Sequence, residues 1–298
     1  MSATSVEPHG RHAVALELAA VEDGMTLVDW GSARGEFAVM LAHRHPTARV
    51  VACDIPYPHG APALDVPNAE YHVLEERRPR LPLVDASVDR VFLLDVLEHM
   101  GPESRRASLA EIRRLLDPAG SLVVTVPHRG RLSRTDVENV RFRWPRTHRL
   151  VFSLVRGRSS YRERYESFAH PNYSSDAKEH HHFTLRELVA VLRAEGFEVH
   201  QHAPFGLLYP LYWTLALAVE FLRRLTRGEL SGLERVAWSL GRRSLDARPP
   251  LAWADSLGVR ASPAPLRPSP ARDDAEERVE PQLVLSADSV DAEAQLRL

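Results

Sequence analysis

The chain has 298 residues, 44% of them hydrophobic and 26% charged, a balance typical of a globular protein that buries a sizeable core. Its formal net charge of −2 argues against a general nucleic-acid coat or a polybasic membrane anchor. The one cysteine, Cys53, excludes an intramolecular disulfide framework and a cysteine-rich zinc module. Because the N-terminus has no apolar signal-peptide run, we expect a cytoplasmic, mostly single-domain protein.

Strand and helix signals alternate over the first 130 residues, which predicts βαβ units and a parallel sheet. Short apolar runs predict strands at 25–30, 48–53, 91–94 and 121–126. Apolar residues at helical spacing predict helices at 13–22, through Phe37, Met40 and Leu41, and at 103–116. We therefore expect an α/β fold with a Rossmann-like, seven-stranded, mostly parallel sheet that has helices on both faces.

Further along the chain, a helical substrate-side insertion is expected at about 130–180. Thr184 stands three residues before Glu187, the spacing of a capping box, and a helix and then a strand at 197–202 are predicted to follow. The segment 203–245 is predicted to be helical and apolar, but Pro204 and Pro210 leave too little for a membrane span. We expect it to form a lid or a homodimer face; peripheral membrane contact through 203–225 is the alternative.

The C-terminal region changes in composition. On this ground we predict one domain over 1–247, a proline-rich flexible linker over 248–280, and a last strand and tail over 281–298. The linker prediction is firmest over 258–280, where prolines, serines and alanines replace large apolar residues.

A strand that ends in an acid, followed by a glycine-bearing turn and a helix, is typical of a ligand-binding loop. Here it reads Asp29-Trp30-Gly31-Ser32-Ala33-Arg34-Gly35. The glycines let a ligand approach the backbone, and the helix N-terminus offers N–H groups to a carboxylate or phosphate. The next strand ends in Asp54, which is well placed to accept both hydroxyls of a ribose.

Five segments in order extend this pattern: LVDWGSARG, VVACD, LPLVDASVDRVFLLDVLEHM, RLLDPAGSLVVTVPH and HHHFTLRELVAVLRAEGFEV. Over about 20–202 the chain resembles the class I S-adenosylmethionine-dependent methyltransferases, most of all the group with a D/E-V-L-E-H motif after the fourth strand. The resemblance implies that S-adenosyl-L-methionine is the cofactor. It also implies a set of cofactor-binding residues: Asp29, Gly31, Ala33 and Gly35 at the methionine end, Asp54 and Ile55 at the ribose, Glu75 near the adenine, and Asp95.

Three side chains after the fourth strand suggest a metal site. Asp95, Glu98 and His99 are spaced i, i+3 and i+4 and would share one face of a helix. With a fourth ligand from His128 or from one of His180, His181 and His182, of which His181 is the named candidate, they would suit Mg²⁺, Mn²⁺ or Zn²⁺. The pattern resembles the metal-dependent methyltransferases that modify the 2′-hydroxyl at small-RNA 3′ ends, and quinone-pathway O-methyltransferases share the motif.

Methyl transfer to an alcohol also needs a proton acceptor, and histidine serves this purpose near neutral pH. His99 and His128 follow the fourth and fifth predicted strands, at the edge where open α/β sheets bind ligands, so they are the candidate catalytic bases. Residues 141–164 add eight arginines and interleaved aromatic side chains, which suit contact with the acceptor and could also bind nucleic acid.

The leading hypothesis is therefore an S-adenosylmethionine-dependent methyltransferase that modifies a hydroxyl of a small-molecule acceptor, such as a sugar or a polyketide. A metal-assisted methyltransferase of RNA ends or a quinone-type enzyme is the second hypothesis. A non-catalytic cofactor-binding module is the third, and N- or C-methylation also remains open.

Overall fold

The computed structural model describes residues 7–56, 61–131, 144–162, 181–208 and 231–265, with six scattered residues between 209 and 230. These residues belong to one compact unit, Met1–Ala264, except for Pro265, which belongs to a second unit, Pro265–Leu298. Most of the predicted insertion, much of the apolar segment after residue 208 and the strand predicted at 281–298 lie outside the described residues.

Seven strands form one sheet: β1 (Thr26–Trp30), β2 (Arg49–Asp54), β3 (Ala69–Val73), β4 (Val88–Leu94), β5 (Leu116–Pro127), β6 (Phe197–Phe205) and β7 (Ser256–Pro263). Their order is β3-β2-β1-β4-β5-β7-β6, with β1 to β5 parallel and β7 antiparallel to both neighbours. The described helices are α1 (Arg11–Ala19), α2 (Glu36–Arg44), α3 (Pro102–Leu115), α4 (Pro145–Arg156), α5 (Arg158–Tyr161), α6 (Leu185–Ala194) and α7 (Ser231–Asp246). This arrangement confirms the expected mostly parallel, Rossmann-like sheet.

Alternate residues of the central strands supply two separate cores. Leu27 of β1 and Phe92 of β4 join one cluster, whereas Val28 and Val91, their neighbours in the chain, join the other. The helices α1 and α2 cover the first cluster, and α3 and α6 cover the second. Burial on both faces explains why these strands are almost continuously apolar, as is typical of parallel sheets.

Local signals set several element boundaries. The capping box that begins α6 is present, with the N–H of Glu187 donating to Thr184 Oγ1 and the N–H of Thr184 donating to Glu187 Oε2. The Asp117–Gly120 segment does not interrupt the sheet. It forms an irregularity inside β5, because Val88 pairs with Leu116 while Arg90 pairs with Ser121.

The linker prediction is wrong for 256–263. Those residues form β7, which lies between β5 and β6 and pairs with both of them. Gly258 explains why the segment has few large side chains at its centre: a Cβ there would lie 2.7 Å from Cγ1 of Val14 and 3.0 Å from Cδ1 of Leu18 on α1. The central residue of β7 is small because α1 packs directly on it. This strand, at 256–263, comes earlier in the chain than the one predicted at 281–298.

Residues 145–161, in the insertion after β5, form the helices α4 and α5, so this part of the insertion is helical, as predicted. None of the helices in the described ranges is both long and apolar enough to cross a lipid bilayer.

Replacing Gly258 with alanine tests whether β7 is a packed strand. We expect the variant to lose about 1–3 kcal/mol of unfolding free energy, because the added methyl group overpacks the contact with α1. Urea unfolding measures the change. As a control, Gly232→Ala in α7 adds a methyl group where no atom lies within 4 Å, and it should not destabilise the protein. Equal stability of Gly258→Ala and the wild type would contradict the packed strand.

Candidate active site

The turn after β1 is built from backbone conformations with positive φ. Gly31, Ala33 and Gly35 have φ values of 79°, 49° and 74°, and the last of them is the N-cap of α2. The N–H of Gly35 donates to the carbonyl of Ser32 (2.8 Å), which closes the turn. Ala33 occupies a left-handed conformation that a methyl side chain tolerates at a cost of about 1 kcal/mol. The alanine is thus accommodated in the turn, and the N-terminus of α2 faces the carboxyl edge of the sheet.

The two glycines allow neighbouring segments to approach this loop. A Cβ on Gly31 would lie 2.5 Å from Cγ2 of Val96, and one on Gly35 would lie 2.5 Å from Cδ2 of Leu64. No side chain fits at either position without displacing its neighbour. The contact with Val96 places the segment after β4 directly against the loop after β1.

Asp54, at the end of β2, is held by backbone groups on both sides. Its Oδ2 accepts from the N–H of Ala33 (2.8 Å) and its Oδ1 from the N–H of Ile55 (2.7 Å). Desolvation raises the pKa of this carboxyl, although the two N–H groups oppose the shift. Each carboxylate oxygen keeps a second acceptor position, so two vicinal hydroxyl groups could donate to Asp54.

Tyr71 on β3 braces the same loop, because its hydroxyl donates to the carbonyl of Ala33 (3.1 Å). Burial raises the pKa of Tyr71 to about 12, which keeps the phenol protonated. Glu75, predicted near an adenine, is exposed just beyond Leu74, whose N–H donates to the carbonyl of Asp54 (2.7 Å).

Asp29, near the end of β1, is almost completely buried, and its Oδ2 has no hydrogen-bond partner in the part of the chain that the structure describes. Burial raises the pKa of Asp29 to about 7, while the positive charge of Arg11 opposes the shift. A buried carboxylate oxygen without a partner is costly, and this one lies beside a glycine-lined turn. The arrangement fits a ligand that brings a cationic or hydrogen-bonding group to Asp29.

Arg11, the first residue of α1, is a site residue that the sequence analysis missed. Its Nη1 donates to Oδ2 of Asp95 (2.9 Å), and the charges of Asp95, Glu98 and Asp29 all raise the pKa of its guanidinium. Thr125 on β5 donates to the other oxygen of Asp95 (2.8 Å). Desolvation alone would raise the pKa of Asp95, but the charge and hydrogen bond of Arg11 lower it below its ordinary value, so Asp95 is ionised near neutral pH.

Asp95, Glu98 and His99 do not share a helical face as predicted. Asp95 has a φ of 55°, and the helix that follows is a 3₁₀ turn of three residues, Leu97–His99. Glu98 is 1% exposed, and burial next to Asp95 raises the pKa of its carboxyl well above the usual range. Nε2 of His99 lies 3.6 Å from Oε1 of Glu98, and the histidine side chain is 21% exposed.

The predicted metal site is not assembled. Within the described ranges, no group of three or more His, Cys, Asp or Glu side chains is arranged to hold a metal ion, and this covers Asp95, Glu98, His99 and His181. The backbone N–H of His181 donates to the carbonyl of Glu98 (3.3 Å), but its ring packs edge-on against Phe183. Both carboxylate oxygens of Asp95 are engaged, one by Arg11 and one by Thr125, and burial raises the pKa of Glu98, so the donor set does not fit a divalent cation.

His128, the second candidate base, is buried at the end of β5. Its Nδ1 lies 2.9 Å from the carbonyl oxygen of Phe183, and the carbonyl of Leu251 also interacts with the ring. Desolvation lowers the pKa of His128, against the effect of the two carbonyl groups. The ring therefore links three segments of the chain at this edge of the sheet.

Comparison with known proteins supports this picture. Residues 28–124 match a family model described as "Methyltransferase domain". No curated protein matches the chain. Among solved structures, the [4+2]-cyclase SpnF is similar at 14% identity, over 87% of each chain, with a TM-score of 0.50. A chain from the Haloferax volcanii complex that contains the Trm112 methyltransferase activator is 17% identical, over 87% of this chain and 92% of that one (TM-score 0.49). A TehB-like SAM-dependent methyltransferase from Corynebacterium glutamicum is 14% identical, over 85% and 88% (TM-score 0.45).

At these identities, similarity to the solved structures is evidence for the fold alone. The family match covers residues 28–124, and together with the strand order it supports the class I, S-adenosylmethionine-dependent methyltransferase fold that the sequence resembles. The same match supports S-adenosyl-L-methionine, the cofactor expected from the sequence.

Gly31→Ala tests the close contact between the loop and Val96. We expect it to lower both the unfolding free energy and the affinity for S-adenosylhomocysteine, because the methyl group must displace the Val96 side chain. Gly24→Ala is a matched control with the same φ of 79° and no atom within 4 Å of the added Cβ. It should show only the backbone cost of about 1–2 kcal/mol. Urea unfolding and calorimetric titration give both quantities, and equal losses in the two variants would contradict the contact.

The raised pKa of Asp29 predicts a pH-dependent stability. An unfolded aspartate titrates at about pH 4, whereas Asp29 in the folded protein has a pKa of about 7. Between these two pH values the folded state binds a proton at Asp29 that the unfolded state has lost. Stability of the wild type should therefore fall as pH rises through this window and should level off above it. Asp29→Asn should remove the part of this pH-dependent loss of unfolding free energy that Asp29 causes. The control Asp23→Asn, at an exposed position, should leave that loss unchanged. Parallel pH profiles of the wild type and Asp29→Asn, measured by urea unfolding, would contradict the raised pKa.

Proposed function

We propose that this methyltransferase transfers the methyl group to a hydroxyl of a small-molecule acceptor, with His99 as the base that receives the hydroxyl proton. The observation that carries the proposal is the set of side chains after β4. Asp95 pairs with Arg11, buried Glu98 has a pKa raised well above its usual range, and the partly exposed His99 places Nε2 3.6 Å from Oε1 of Glu98. Neighbouring titratable groups whose surroundings push their pKa values apart are typical of sites that move protons.

The cofactor would lie across the carboxyl ends of β1 and β2. Asp54 offers two acceptor positions for the ribose hydroxyls, and the unpaired oxygen of Asp29 faces the methionine end. Gly31 and Gly35 keep side chains away from the turn, so a ligand can approach the backbone. The cofactor supplies a methyl group activated by its sulfonium, and the enzyme has to align the acceptor in line with it.

His99 is well suited to receive a proton. Nε2 of His99 lies 3.6 Å from Oε1 of Glu98, and the raised pKa of Glu98 disfavours a negative charge at that position beside the ring. The contact between Val96 and Gly31 brings the residues after β4 against the turn at 31–35, which we call the cofactor loop. An acceptor hydroxyl placed between that loop and His99 would therefore be near both the methyl donor and a base.

His128 is the weaker candidate for this role. It is 5% exposed, and its Nδ1 faces the carbonyl of Phe183. The interaction with the Leu251 carbonyl engages the ring further, so an acceptor would have to displace chain segments to reach it. We assign it to positioning the end of β5 and the chain before α6.

One experiment separates cofactor binding from proton removal. We expect His99→Gln to bind S-adenosylhomocysteine like the wild type but to lose about 10²–10⁴-fold in kcat, with a changed pH–rate profile. Asp54→Ala should instead weaken cofactor affinity by about 1.5–3 kcal/mol, the cost of lost hydrogen bonds to a charged group. Titration calorimetry and transfer of isotope-labelled methyl groups to a panel of hydroxylated metabolites provide the two readouts.

The control is His43→Gln, which changes an exposed histidine on α2. It should leave both readouts unchanged. Mass spectrometry and NMR of the product then locate the methyl group. A methyl group on nitrogen or carbon, or full activity of His99→Gln, would contradict the proposed hydroxyl chemistry. Cofactor binding without transfer to any acceptor would favour the non-catalytic module.

A further inference from the structure

The helix α4 carries a row of exposed apolar side chains. Leu150, Val151 and Leu154 lie on one helical face at spacings of i, i+1 and i+4, and Trp144 immediately precedes the helix. All four are between 53% and 68% exposed. Single exposed apolar residues are common, but three on one short helix with a fourth directly before it form a patch that favours contact with an apolar partner. We call this set the α4 apolar face.

The α4 apolar face is not the side by which the helix packs on the protein. That side carries His148, which is 9% exposed, and the half-buried Phe152. Their rings lie 5.9 Å and 5.7 Å, centroid to centroid, from the ring of Tyr161 on α5. The helix thus has one apolar side for its own domain and a second that points outward.

Positive charge accompanies the outward side. The sequence from 144 to 162 holds five arginines and no acidic residue, in a chain whose net charge is −2. Arg146 and Arg158 are exposed, and Arg149 is exposed as well although its guanidinium lies over the ring of Tyr161, 5.9 Å from the centroid. Arginine side chains beside an apolar helical face can keep their charged ends in water while their stems cover apolar surface, as in helices that lie in a membrane interface.

We propose that α4 docks on an anionic phospholipid surface, with the α4 apolar face at the acyl boundary and its arginines at the headgroups. Lipid is favoured over nucleic acid because Leu150, Val151 and Leu154 are aliphatic. They offer no aromatic surface for stacking bases, which is what single-stranded nucleic acids use. Trp144 fits the same assignment, since its indole is amphipathic and suits the region between acyl chains and headgroups.

A second helix of similar character supports the proposal. In α7, Val236 and Leu240 are exposed at a spacing of i and i+4, and Arg242 and Arg243 are exposed next to them in sequence. Both helices connect to the carboxyl edge of the sheet, α4 after β5 and α7 after β6. This is the edge that carries the cofactor loop, although the docking surface does not depend on the proposed hydroxyl chemistry.

Vesicle co-sedimentation of the full chain tests the proposal. We expect the protein to bind phosphatidylcholine vesicles that contain phosphatidylglycerol, to bind pure phosphatidylcholine less, and to be released by salt. A double substitution, Leu150→Glu with Leu154→Glu, should reduce the bound fraction by about tenfold or more, because each removes an apolar side chain from the lipid boundary. Both side chains are exposed, so the fold should tolerate the change, and circular dichroism checks this.

Val84→Glu is the matched control. Val84 is 76% exposed and lies on the segment between β3 and β4, so its substitution adds one negative charge away from α4. It should leave vesicle binding nearly unchanged. A wild type that binds neither vesicle type, or a Leu150/Leu154 variant that binds like the wild type, would overturn the proposal. The proposal would also be overturned if the wild type bound no vesicles and the Leu150/Leu154 variant instead lost a dimer or lost binding to single-stranded RNA.

Discussion

The close approach of Gly31 to Val96 is the contact on which the site depends. One residue follows β1 and the other follows β4, and these neighbouring parallel strands end at the same edge of the sheet. The order of the sheet changes direction here, because the chain runs outward from β1 through β2 to β3 and then returns to β4 on the other side. Open α/β sheets bind ligands at such a point. Because Gly31 has no side chain, the turn at 31–35, which would bind the cofactor, can contact the segment after β4, which would face the acceptor.

Electrostatics at this edge follow from the position of one cation. Arg11, at the start of α1, pairs with Asp95 just after β4, and it interacts through its charge with Asp29 near the end of β1 and with Glu98 in the 3₁₀ turn. Asp95, in direct contact with it, stays charged, whereas the more deeply buried Glu98 and Asp29 have raised pKa values. The pKa values of three acids that lie close together are thus pushed apart by burial and by the charge of Arg11. The helix α1 is itself anchored at its N-terminus, where Asp246 of α7 accepts from the N–H of Gly10 (2.7 Å).

The fold alone does not identify the acceptor. A [4+2]-cyclase has a similar structure, which shows that this architecture supports more than one kind of reaction. Chemistry is decided by the few side chains at the carboxyl edge and by the helices inserted beyond β5 and β6. Here those helices combine arginines with outward apolar side chains, whereas the sheet below them follows the common pattern of the class.

The sequence by itself determined the features that local spacing controls. The run from Asp29 to Gly35, Asp54 at the end of the next strand, and the capping box of α6 are each set within a few residues, so their patterns predicted the structure correctly. The 3₁₀ turn was not predictable in this way, because the positive φ of Asp95 breaks the helical spacing on which the metal hypothesis rested.

Only the tertiary structure decided the rest. β7 looked like a linker because its small central residue, Gly258, is required by a helix more than 200 residues earlier in the chain. The pairing of Arg11 with Asp95 joins residues 84 positions apart, and no local pattern indicates it. Edge strand β3 was missed for a related reason, since its residues are only partly buried and lack a strong apolar pattern. Short-range propensities set the elements, but long-range packing selects which residues become small, buried or charged partners.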